Sequence, residues 1–358
     1  MNAGIRLAPL LAAVVVSFLA GCASAAAESD DASEAEVRRR LACPIRQQNG
    51  CRVVQAGDVK TLFASEGILM PGATFTLPDG SFAAFAPRYE QAVALRVRST
   101  DLVRFTSPEV VAGNVADMTG ARGRAGTFLY FAGATGLYRS TVDAVGQLAQ
   151  PVPVNIQGVP IVPYWPQATG LRDGRVLLAF VEQQTRAFLA ESRDGVTFEQ
   201  RPTPVPAGVR RGILAHVGET KRGAWVFTHQ IADASWSFTS LVHLSRDQGS
   251  SWSEAIVVAP NATDVHDAYP ITRTDEGADL YYLHVGDAGV FSVFRRALLE
   301  DGTLGPEQAV TGPEIGHVEK PQARRLPDGR IALSFAVRKT NGAYDVRLAV
   351  LDADAPRR

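Results

Sequence analysis

The feature that most restricts what this chain can fold into is a glycine that recurs six times, each time just ahead of a short apolar run. Gly80 precedes Ser81-Phe82-Ala83-Ala84-Phe85, Gly126 precedes Thr127-Phe128-Leu129-Tyr130-Phe131, and Gly174 precedes Arg175-Val176-Leu177-Leu178-Ala179-Phe180. Gly223, Gly277 and Gly329 open equivalent runs at Ala224, Ala278 and Arg330. A tight turn between two strands needs the backbone freedom of glycine, so each of these marks a strand–turn–strand unit. Successive glycines lie 46 to 54 residues apart, the length of one four-stranded sheet with its turns. The spacing therefore predicts an all-β chain, a six-bladed β-propeller with four-stranded antiparallel blades.

A second element follows these glycines. Ser245-Arg246-Asp247-Gln248-Gly249-Ser250-Ser251-Trp252 is its fullest copy, Ser192-Arg193-Asp194-Gly195-Val196-Thr197-Phe198 a shortened one and Ser99-Thr100-Asp101-Leu102-Val103-Arg104-Phe105 a worn one, with a trace at Ser140 to Asp143. Serine and aspartate side chains satisfy the backbone of a tight turn, glycine supplies a positive φ, and the aromatic packs between sheets. The pattern resembles the Asp box of sialidases and related propellers. That resemblance implies an outer-rim, structural role, so Asp247 and Trp252 are not expected to be catalytic. The opening blade is also similar to that of sialidases, from Met70-Pro71-Gly72-Ala73-Thr74 to Ala86-Pro87-Arg88. Arg88 matches the arginine closing the family pattern. The Arg-Ile-Pro arginine that helps clamp the sialic acid carboxylate falls on Leu69, which cannot make bidentate contacts to a carboxylate. Lys320, before Pro321, stands where the sixth blade of the family has its arginine.

The N-terminus sets the expected compartment. Arg6 precedes an apolar run from Leu7 to Leu19 that ends in Leu19-Ala20-Gly21-Cys22. The run is short for a membrane span and leaves through small residues, as a cleaved signal peptide does. Its last four residues resemble a bacterial lipobox, which implies lipidation of Cys22. Each buried methylene of an attached chain contributes about 0.8 kcal/mol of membrane affinity. Ala23 rather than aspartate after the cysteine implies an outer-membrane destination in a Gram-negative source, and a cell-envelope placement in any case. Residues 1–21 are thus read as signal peptide and residues 22–40 as an acidic, Ala/Ser-rich tether with too few large apolar residues to order. Residues 41–358 are the propeller. Cys43 and Cys51, in an exported segment, are expected to form a local disulfide.

The sixth blade has room for three strands before the chain stops. The segment near residues 52–56, Arg52-Val53-Val54-Gln55-Ala56, is similar to the short outer strands of other blades and is expected to complete it by pairing with Tyr344 to Leu351. That pairing covers an otherwise open sheet edge.

Propellers bind ligands at the channel mouth, where each innermost strand begins. About ten residues before the turn glycines stand Met70, Asp117, Tyr164 with Trp165, Arg211, His266 with Asp267, and His317 with Glu319 and Lys320. Burying such groups unpaired is costly, so they are expected to meet at one mouth, partnered by each other or by a ligand. In particular, Asp117, Tyr164, Arg211, Asp267 and Glu319 are expected to face one opening, with Arg211 near a carboxylate.

Two functions fit. One is a lipid-anchored protein that binds a glycan or other surface polymer, or serves surface assembly, through the mouth, with Arg211, Trp165, Tyr269, His266, His317, Lys320 and Arg88 as contacts. The other is an exo-acting glycoside hydrolase of the sialidase type, with Tyr164 or Tyr269 activated by Glu319, Asp117 or Asp267 as acid, and Arg211 as clamp. The missing arginine at Leu69 favours binding. A formal charge of −1 and only one basic run, Arg38 to Arg40, exclude nucleic acid as a partner. No cofactor is expected, since neither a phosphate loop nor a nucleophile elbow is present. His216, His229, His243 and His284 are not at metal-ligand spacing and read as surface or satisfied core residues, so no metal is expected. Asn261-Ala262-Thr263 reads as a chance sequon, and the protein is expected to be a monomer.

Overall fold

The computed structural model describes residues 53–158, 164–182, 185–205, 211–286 and 289–352, with only the backbone at 211–213. Cys22, Cys43 and Cys51 lie outside the described residues. The chain forms six antiparallel sheets in sequence order around a ring. Blade 1 shows the plan, with strands Ala73–Thr76, Phe82–Arg88, Val93–Ser99 and Glu109–Gly113 running from the channel outward. The other innermost strands are Asp117–Gly123, Tyr164–Gly170, Arg211–Glu219, His266–Thr272 and Val318–Arg325. All six turn glycines adopt positive φ, from 75° at Gly277 to 144° at Gly126, where a Cβ would be strained. Among the described residues no helix is long and apolar enough to cross a membrane.

Two details differ from the sequence expectation. Blade 3 has five strands, because Asn155–Gln157, from the connection leaving blade 2, adds in parallel to Thr197–Arg201. The strand that completes blade 6 is Val59–Phe63, which pairs antiparallel with Tyr344–Leu351, not the segment near 52–56. There Val54 instead makes a parallel bridge to Thr311, and Ala56–Asp58 turn in a short 3-10 helix before the pairing begins. The later segment wins because it brings two large apolar side chains to the seam. A register shift between Thr61 and Phe63 lets both Leu62 and Phe63 bury, at 4 % and 1 % exposure, between blades 6 and 1.

Each of the six seams between neighbouring blades carries its own apolar cluster. The alternation of strand residues explains this: one parity faces the preceding blade and the other the following one. In blade 4, Ala215 and Val217 pack toward blade 3, whereas Gly218 lies against Pro270 of blade 5.

The Ser-x-Asp turns lie between third and fourth strands. Asp247 Oδ1 accepts the Ser251 backbone N–H at 2.8 Å, its Oδ2 accepts the Ser251 hydroxyl at 2.6 Å, and Ser245 Oγ accepts Gly249 N–H at 2.7 Å. These donors, Ser251 foremost, hold the Asp247 carboxyl at about 2. Asp194 and Asp101 accept the equivalent pairs of backbone N–H groups at 2.8 Å. Trp252 then ties two blades together, donating Nε1–H to the Pro202 carbonyl at 3.0 Å and packing edge-on to Phe227.

Candidate binding site at the channel mouth

Innermost strands of blades 3, 4, 5 and 6 share one irregularity near their first residue. Their register shifts between Tyr164 and Gln167, Arg211 and Leu214, His266 and Tyr269, and Glu319 and Gln322. In three of them the residue entering the shift is left-handed: Trp165 at φ 46°, Asp267 at 52° and Lys320 at 48°. In blade 4 that position is Gly212. A left-handed non-glycine residue costs roughly 1–2 kcal/mol, and a bulge re-aims the side chain it carries. At Lys320 and Asp267 the strained residue's side chain meets charged groups of other blades, whereas Trp165 stays on a seam.

Lys320 demonstrates the aim. Its ammonium lies 2.8 Å from Oδ1 of Asp117, although blade 1 stands between their blades, 6 and 2. Tyr89, from the short turn Tyr89–Gln91 that joins the second and third strands of blade 1, lies against this pair. Burial pushes its hydroxyl up, and the Asp117 carboxylate adds to the shift. Burial alone would lower the Lys320 ammonium, but Asp117, Tyr89 and then Asp267 outweigh it and raise it. Asp117 is 3 % exposed, and its Oδ2 has no hydrogen-bond partner among the described residues.

Asp267 extends the cluster to blades 5 and 4. Its backbone N–H donates to Gln230 Oε1 at 3.0 Å, and its carboxylate lies 3.7 Å from His216 Nε2, too long for a hydrogen bond. Burial would raise the Asp267 carboxyl, yet His216, His266 and Lys320 hold it below the ordinary carboxylate range. His216 is 2 % exposed, edge-on to Tyr269 at 5.4 Å, with neither ring nitrogen hydrogen-bonded among the described residues. The expectation that it is a satisfied core or surface histidine is therefore corrected: it is part of the mouth. Tyr269 lies two residues further along the same strand, its hydroxyl pushed up by burial against the opposing charge of Arg324.

A second group borders the first. Glu319 accepts a 2.6 Å hydrogen bond from the Tyr344 hydroxyl and lies 3.2 Å from His317 Nε2. An aromatic arc leads away from it through His317, Phe291, His266, Phe238 and Trp236, with successive ring centroids 4.3 to 6.4 Å apart. His266 is fixed within the arc by Asp264, 2.9 Å from its Nε2. Trp236, left-handed at φ 64°, closes the arc with its ring 40 % exposed. Its turn is held by Asp233, which accepts the N–H groups of Ser235 and Ser237.

Of the five residues expected to converge, Asp117 and Asp267 meet through Lys320, and Glu319 stands beside them with Tyr344 and His317. Tyr164 begins the blade 3 strand 41 % exposed, and among the described residues no hydrogen bond joins it to Glu319, whose phenol partner is Tyr344. Trp165 packs on the seam of blades 3 and 4. The Arg211 side chain lies outside the described part. Arg88 ends its strand with Nη1 3.3 Å from Gln91 Oε1, bridged to Leu69, which is fully buried. Among the described residues no three histidine, cysteine or acidic side chains group as a metal site.

Tyr89, Trp236 and Tyr344 were missed because they come from the other side of each blade's hairpin. Mouth loops also join second to third strands, and these three residues follow their turn glycines by 9, 13 and 15 positions. Counting forward as well as back from each glycine would have found them.

No protein-family model matches the sequence, and no curated protein does. Solved structures do match in fold. A protein of unknown function from Dyadobacter fermentans DSM 18053 superposes with a TM-score of 0.64 at 16 % identity, over 83 % of this chain and 99 % of that one. NanB sialidase from Streptococcus pneumoniae gives 0.54 at 11 % identity, over 84 % of this chain and 70 % of that one. The Hadza microbial sialidase Hz136 gives 0.56 at 13 % identity, over 79 % and 65 %. The chain has the sialidase-like six-bladed propeller fold, and at these identities the likeness is one of fold.

Proposed function

We propose that the protein binds a glycan or similar hydroxyl-rich surface polymer at the channel mouth without cleaving it, held to the cell envelope through a lipid on Cys22. The observation that carries this reading is the meeting of ionisable side chains from blades 1, 2, 4, 5 and 6: Tyr89, Asp117, His216, Asp267 and Lys320. Sugar hydroxyls need both acceptors and donors, and Asp267, Asp117, Gln230, His216 and Lys320 offer both. The exposed rings of Trp236 and Tyr164 offer apolar faces beside them. Hydrolysis needs a carboxylic acid that still carries its proton. Asp267 is held below the ordinary carboxylate range by its neighbours, which does not suit it to that role.

One observation favours the alternative, a sialidase-type hydrolase: the Tyr344 hydroxyl bonded to Glu319 is the pair that a tyrosine nucleophile with a carboxylate base requires. A glycan array run with a panel of fluorogenic glycosides, a sialoside included, separates the two. Binding with no turnover is the expected result. Turnover that Tyr344→Phe abolishes would replace the binding reading with the hydrolytic one.

A further inference from the structure

We propose that Asp117 is a built-in carboxylate occupying Lys320 at the mouth, so that the site selects neutral glycans and turns acidic ones away. The inference rests on the binding reading above and names the substrate class of that same site. Lys320 is placed by a strained left-handed residue at the start of its strand and aimed at the axis. Such an ammonium, 12 % exposed at a channel mouth, would be the natural contact for the carboxylate or sulfate of an acidic sugar. Here that place is taken. Asp117 reaches Lys320 from two blades away at 2.8 Å, the Tyr89 hydroxyl lies against the pair, and the charge of Asp267 acts on the same ammonium from farther off.

Among the described residues Lys320 already has a carboxylate at contact distance. An incoming carboxylate would have to displace Asp117, leaving that side chain buried without a counter-charge, or share Lys320 with it. Either route costs more than a sugar hydroxyl, which adds its hydrogen bonds without bringing charge. Oδ2 of Asp117, without a hydrogen-bond partner among the described residues, offers an acceptor for such a hydroxyl. The deeper Arg324 does not substitute for Lys320, since its guanidinium lies over the Phe75 ring and beside Tyr269.

Asp117→Asn keeps the shape and removes the charge that occupies Lys320. On one array carrying neutral, sialylated, uronate and sulfated glycans, the unsubstituted protein should bind neutral members only. D117N should gain affinity for acidic ligands by roughly ten- to hundredfold, the worth of one charge-assisted contact. Titration with free N-acetylneuraminate should show the same gain, and Lys320→Met in the D117N background should cancel it. Acidic glycans bound by the unsubstituted protein as well as neutral ones would overturn the inference, even if the variant failed to fold. So would a folded D117N with no new affinity for the free acid. If no glycan binds either protein but D117N still takes up the free acid, the glycan reading fails and the role of Asp117 stands.

Discussion

Asp279→Ala should destabilise the fold by about 3–5 kcal/mol, the usual effect of removing one member of a buried ion cluster. Asp279 opens the second strand of blade 5 and is fully buried. Arg273 Nη1 lies 2.9 Å from its Oδ1, Arg295 Nε 3.1 Å from the same oxygen, and Arg325 Nη2 3.6 Å from Oδ2. The arginines come from a turn and two strands in two blades, so the carboxylate joins blade 5 to blade 6 near the turn glycines. Without it three largely buried guanidinium groups lose their shared carboxylate, with Arg273 keeping Asp275. The denaturant midpoint of the variant reads the effect directly, and a loss below about 1 kcal/mol would show that the cluster is not structural.

Mild acid should weaken the protein long before its surface carboxylates titrate. His229, within blade 4, is held down to about 3 by burial and then by the neighbouring His243, whose ring stacks on it at 5.3 Å. His243 is lowered as well, chiefly by burial. In the unfolded chain a histidine titrates near 6.5. As pH falls below that value the unfolded state takes up a proton that folded His229 refuses. Stability is therefore complete above about 6.5 and declines toward pH 3, by roughly 4 kcal/mol from this group. Urea unfolding at pH 7.5, 6, 5 and 4 should show the decline, and His229→Leu should flatten it. An unchanged slope in the variant would place the acid sensitivity elsewhere.

Much of the ring was legible because a tight turn leaves a mark in sequence that nothing else easily supplies. Gly80, Gly126, Gly174, Gly223, Gly277 and Gly329 all stand at positive φ, and their spacing alone predicts six blades. The closing strand was misplaced for a different reason. Val53 and Val54 have the composition of an outer strand, but pairing was decided by the burial of Leu62 and Phe63 in a seam that only the folded ring creates. The site was legible in part. Counting back from the glycines finds Asp117, Asp267 and Lys320, which do meet. It cannot find which way a side chain turns, because a one-residue register shift near a strand start leaves no trace in periodicity. Proline is a partial clue: Pro166 and Pro321 follow the left-handed Trp165 and Lys320, at a point where the strand can spare a backbone donor. The partners that cross between blades, His216 with Asp267 and Asp117 with Lys320, depend on the closed ring and had no local signal.

The central claim is that the cluster around Asp267 is the place where ligand is held, and one substitution tests it most directly. Asp267→Asn keeps a side chain that tolerates the left-handed backbone while removing the carboxylate beside His216 whose charge also acts on Lys320. Affinity for the glycan that the unsubstituted protein selects should be measured in both proteins by titration calorimetry, beside their thermal midpoints. The account predicts a loss of affinity of at least about tenfold, as expected for one charge-assisted hydrogen bond, with the variant still folded. Undiminished affinity in a folded Asp267→Asn protein would contradict it and move the binding site away from the channel mouth.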